Sequence, residues 1–163
     1  NEIVFDYGGA RYLNVEAKYG GHYLAENRTW AKQTIAHNTL VVDEQSHFNG
    51  NVKVADLHHP EILHFLSNES YQLSSAKESN AYSDVEFVRS MLIVNVPSLA
   101  HPLIVDVLNA ESDSKHTYDL PVHFNGQIID FSFDLNGNKN SLKPLGKDNG
   151  YQHLWLRNTA DLA

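Results

Sequence analysis

Apolar and polar residues alternate with a period of two over several stretches, which predicts half-buried β-strands. Tyr118, Leu120, Val122 and Phe124 share one parity, with Thr117, Asp119, Pro121 and His123 on the other. Ile129, Phe131, Phe133 and Leu135 alternate in the same way with Ile128, Asp130, Ser132 and Asp134. Residues 85–96 become apolar at both parities in their second half, which predicts a central strand covered on both faces. Residues 39–42, 62–66 and 103–108 are shorter candidates. Residues 151–157 predict a late strand that buries Leu154 and Leu156 or else Trp155, according to its register.

The punctuation agrees. Asn-Gly occurs at Asn49-Gly50, Asn125-Gly126, Asn136-Gly137 and Asn149-Gly150. Both residues tolerate positive φ, so these pairs suit tight hairpin turns. Residues 97–102, bounded by Pro97 and Pro102, predict a loop, and residues 111–116 a polar connection. No segment carries an apolar stripe at i, i+3, i+4, i+7 with caps at both ends, so no long helix is expected. The reading is all-β, an antiparallel two-sheet β-sandwich, with residues 1–163 as one domain.

Composition narrows the partners. The 163 residues suit one sizeable core, and 42% hydrophobic with 20% charged residues is ordinary for a globular protein. No apolar run is long enough for a transmembrane helix. Without cysteine, disulfides and thiolate metal sites are excluded. A net charge of −8 argues against nucleic acid, whose binding relies on Lys and Arg contacts to phosphate. The same charge counts against a polyanionic sugar, but its distribution softens the objection. Residues 1–37 balance Arg11, Lys18, Arg28 and Lys32 against Glu2, Asp6, Glu16 and Glu26, so the whole acidic excess lies beyond them. A local basic pocket on an acidic body is compatible with that pattern. Residues 1–5 open on a strand-like apolar run with no initiator Met, as expected of a processed chain or a fragment.

The densest polar constellation is Asp6, Arg11, Tyr19, His22, Tyr23, Asn27, Arg28, Lys32, His37 and Asn38, interrupted by Gly8-Gly9 and Gly20-Gly21. Loops holding His, Tyr and Arg together are common places for binding or proton transfer. Each residue also has a structural reading. His37 precedes a strand, Tyr23 could pack at a sheet rim, Asp6 could cap a turn, and Arg11 could form a surface ion pair. His58, His59 and His64 are read as surface residues among ten histidines. No HExxH, phosphate-binding glycine loop or GxSxG motif is present.

The run from Gly20-Gly21-His22-Tyr23 through Trp30 to His37-Asn38-Thr39-Leu40-Val41-Val42-Asp43 resembles the heparinase II/III superfamily, most of all the alginate and oligoalginate lyases of polysaccharide lyase family seventeen. Residues 84–89 and 151–158 are similar as well. The resemblance implies a carboxy-terminal sandwich that partners an amino-terminal helical toroid of the same protein, with the active site in the cleft between them. It further implies an Asn/His pair and a catalytic Tyr on the helical domain, and a catalytic and a metal-ligating His shortly before Asn1. On this chain it implies Asp6 and His37 as Zn²⁺ ligands, a chemically sensible set with the upstream His. It implies Tyr23 as an active-site tyrosine, Arg11 as a contact for a uronate carboxylate, and a periplasmic, cell-envelope or secreted location. The expected chemistry is β-elimination on alginate. A lyase of heparin, heparan or chondroitin type, and a non-catalytic carbohydrate-binding sandwich, stand as alternatives.

Overall fold

The computed structural model describes residues 24–137 and 142–161. Among these described residues ten strands follow in chain order: β1 (Val41–Val42), β2 (Glu61–Ser67), β3 (Tyr71–Glu78), β4 (Val85–Val94), β5 (Leu103–Ser112), β6 (Tyr118–Asp119), β7 (Asn136–Gly137), β8 (Lys143–Pro144), β9 (Trp155–Leu156) and β10 (Asn158–Thr159). Every strand pairing among the described residues is antiparallel, and helix is confined to short turns such as α1 (Val52–Ala55). The chain is all-β, in keeping with the sandwich expected of it. It divides into two compact units, Asn51–Lys115 and the pair of segments Asn1–Gly50 with His116–Ala163.

The unit Asn51–Lys115 is an antiparallel meander with strand order β2-β3-β4-β5. Its hairpins do not use Asn-Gly. Between β2 and β3, Asn68 Oδ1 accepts from the backbone N–H groups of Ser70 and Tyr71, at 2.8 and 2.9 Å. Between β3 and β4, Glu78 Oε1 accepts from Asn80 N at 2.6 Å and Ala81 N at 3.2 Å. A side-chain acceptor thus replaces the positive-φ backbone of a tight turn. The expected loop at 97–102 joins β4 to β5. Strand β4 is central, as its apolar run predicts, but Met91 and Ile93 in its second half are exposed. The unit holds only the single turn α1 besides its sheet, too little to cover both faces.

Among its described residues, the second unit holds three two-stranded ribbons, β1 with β6, β7 with β10, and β8 with β9. Ile35, Val41 and Tyr151 form its buried cluster, with Trp30 and Leu154 packed against it. The alternation at 117–124 yields the short β6, paired Val41 to Asp119 and Val42 to Tyr118, and an isolated bridge position at Phe124. Pro121 offers no N–H to a ladder, and the backbone of His123 is engaged by a side chain. Residues 128–135 lie in no strand despite their alternation, and among the described residues no strand pairs with them. Around 151–157, a 3₁₀ turn at Tyr151–His153 precedes β9, and the register leaves Trp155 exposed with Leu154 and Leu156 half-buried. Of the Asn-Gly pairs, Asn49-Gly50 and Asn149-Gly150 adopt positive φ at both residues, whereas Asn136-Gly137 is itself strand β7.

Candidate functional site

His37 sits at the end of a buried 3₁₀ turn, Thr34–Ala36. That turn is fixed through Thr34, whose N–H donates to Ser46 Oγ at 3.1 Å and whose Oγ1 accepts from the His47 N–H at 2.8 Å. Ser46 Oγ donates onward to Gln33 Oε1 at 2.7 Å. Ile35 and Ala36 are buried, so the turn is anchored by packing as well as by hydrogen bonds.

The imidazole of His37 is half-buried, and its Nε2 lies 3.0 Å from the carbonyl oxygen of Ala31. A carbonyl only accepts, so Nε2 carries the proton, and in the neutral ring the lone pair belongs to Nδ1. Metal-ligating histidines commonly donate their second ring N–H to a backbone carbonyl in this way, which fixes both tautomer and ring orientation. The donor chemistry of His37 therefore fits a Zn²⁺ ligand that binds through Nδ1.

Two further histidines hold the same stretch of backbone. His47 Nε2 donates to Leu40 O at 2.9 Å, and His123 Nε2 donates to Ile35 O at 2.8 Å. Asn38 meets the backbone of His123 reciprocally. Its Oδ1 accepts from His123 N at 2.5 Å, and its Nδ2 donates to His123 O at 3.3 Å. Trp30 packs beside them, with the rings of His123 and His153 meeting it edge to face at centroid distances of 5.8 and 6.0 Å. His153 Nε2 and Thr29 Oγ1 lie 3.0 Å apart.

Of the residues that sequence reading singles out, Asp6, Arg11 and Tyr23 lie outside the described residues. Arg28 and Lys32 are exposed, as are His58, His59 and His64, which accords with a surface reading of those three histidines. Among the described residues, no group of three or more His, Asp or Glu side chains could hold a metal. His123 carried no signal in the sequence, because its partners Ile35 and Asn38 lie 88 and 85 residues away.

Comparison with known proteins agrees with the resemblance. The family described as heparinase II/III-like, C-terminal, matches residues 1–161. An exo-oligoalginate lyase of Saccharophagus degradans is 77% identical over 160 residues, which cover 98% of this chain and 22% of that protein. An alginate lyase of Stenotrophomonas maltophilia is 53% identical over 156 residues, covering 96% of this chain and 21% of that protein. The chain thus spans about a fifth of the length of these curated relatives. With a match that takes in all but its last two residues, the chain belongs to the heparinase II/III-like C-terminal family.

Proposed function

We propose that the chain is the carboxy-terminal domain of a lyase that cleaves oligoalginate by β-elimination, working from the chain end to release unsaturated uronate. The observation that carries this reading is the 77% identity with an exo-oligoalginate lyase over almost the whole chain. The second relative, an alginate lyase at 53% identity, supports the same substrate over heparin, heparan or chondroitin.

The C5 proton of a uronate is hard to remove, because the adjacent carboxylate resists further negative charge. Arg11 counters that charge with a planar, bidentate donor. Tyr23 exchanges a proton at the reacting uronate from the side of this domain, provided positive charge nearby draws its hydroxyl below the usual value of about 10. The principal acid and base lie upstream of these residues in the same protein, a Tyr on the amino-terminal helical domain and a His shortly before Asn1. Asp6 and His37 hold a Zn²⁺ ion together with a histidine that precedes this chain. The orientation of the His37 ring supports its part in that set. When bound, the ion supplies fixed positive charge and holds its ligands in one arrangement. Oligoalginate carries a carboxylate on every sugar and does not cross the cytoplasmic membrane unaided, which favours a periplasmic, cell-envelope or secreted location.

The test is a substrate panel on the full-length protein, following absorbance of the unsaturated product on oligoalginate, heparin and chondroitin. Turnover of oligoalginate with monomer as the first product is expected. Cleavage of heparin or chondroitin in its place would overturn the substrate. Metal analysis of the same protein is expected to show bound zinc that His37→Ala loses.

A further inference from the structure

We infer that Asn38 and His123 are positioning residues for the His37 imidazole, an inference that rests on the metal-ligand reading of His37 above. The direction in which His37 leaves the main chain is set by the backbone between residues 35 and 38. Both ends of that short span are held by the same residue. His123 donates its ring N–H to Ile35 O at 2.8 Å, two residues before His37. One residue after His37, Asn38 takes the His123 N–H and returns a hydrogen bond to the His123 carbonyl. The His37 ring is then tied to Ala31 O, so backbone and side chain are fixed at separate points.

The partner segment gives up regular structure to make this clamp. Residues 117–124 have the alternation of a longer strand, yet strand β6 ends at Asp119, residues 120–123 lie in no strand, and an isolated bridge position follows at Phe124. The main chain of His123 meets a side-chain amide where a strand would offer a backbone ladder. His47 provides an internal contrast. It is also an imidazole bonded to this stretch, but its acceptor, Leu40 O, lies beyond the span that aims His37. Removing the clamp leaves His37 able to reorient, and the ordering that ligation requires is then paid at binding. Supporting residues around metal ligands typically contribute about 10–100-fold in metal affinity.

The experiment uses the full-length protein with ¹⁵N-labelled histidine and two readouts. One is the ring-nitrogen NMR signature of His37 in the metal-free protein, identified from its disappearance in His37→Gln. The other is Zn²⁺ affinity by competition with a chromophoric chelator. In the parent protein His37 should show a protonated Nε2 and an unprotonated Nδ1. His123→Ala and Asn38→Ala are each expected to average that signature between tautomers and to weaken Zn²⁺ binding by about 10–100-fold. His123→Gln, whose amide can still donate to Ile35 O, should recover most of the loss. His47→Ala should leave both readouts unchanged. If His123→Ala does not fold, Asn38→Ala tests the same clamp while leaving the packing of His123 on Trp30 in place. An unaltered His37 signature in the clamp variants would overturn the inference, as would an equal loss in His47→Ala. Unchanged Zn²⁺ affinity in His37→Ala would instead overturn the ligand reading, and the NMR signature would still decide the positioning role.

Discussion

Gly150 lies where its backbone and its surroundings both demand glycine. Its φ is +94°, a conformation that costs an L-residue about 1–2 kcal/mol. A Cβ added there would stand 2.5 Å from Ile35 Cγ2 and 3.1 Å from Gln33 Cβ. Gly150→Ala is therefore expected to lower stability by about 2–4 kcal/mol, strain and overpacking combined, in denaturant unfolding. A loss under about 0.5 kcal/mol, the scatter of neutral surface changes, would refute the close approach. Because Ile35 opens the span that carries His37, the same variant couples fold stability to the candidate site. Asp43 shows a different residue-level device. The Thr117 N–H and then His116 Nδ1, at 2.9 and 2.6 Å, hold its carboxyl below the ordinary carboxylate range.

At the scale of elements, the four-stranded sheet is held by cross-strand pairs as well as its ladder. Arg89 on β4 grips Asp106 on β5 through both Nε and a terminal guanidinium nitrogen. The guanidinium holds the Asp106 carboxyl below its usual range. With its folded pKa below its unfolded one, Asp106 contributes stability in full above about pH 4, which is lost as pH falls through the folded value. Both side chains remain partly exposed, 24% and 33%, so solvent screening keeps the contribution small. A double-mutant cycle with Arg89→Ala and Asp106→Ala is expected to give about 0.5–1 kcal/mol at neutral pH and to shrink toward zero in acid. A coupling that persists in strong acid would show that the pair acts through packing rather than charge. Asn68 does for the β2–β3 hairpin what Asn-Gly was expected to do, by turning the chain with its side chain.

At the scale of the whole molecule, the chain covers about a fifth of the length of its curated relatives, and the proposed acid and base belong to the rest. The 163-residue chain alone is therefore expected to produce no absorbance increase on alginate, and turnover by it would refute that division of labour. The sequence by itself determined the all-β class, the central place of β4 and the family, because period-two alternation and the long run ending at His37-Asn38-Thr39 are written in neighbouring residues. It also singled out His37 through that run. Alternation reports which face of a strand would be buried, but not which segment would pair with it, and residues 128–135, which read as a strand, lie in none among the described pairings. Only the tertiary structure decided that the alternation after Asp119 is diverted onto Asn38, and that His123 reaches Ile35 across 88 residues. Side-chain to backbone contacts of that sequence separation have no period, and they exist only once the fold has closed.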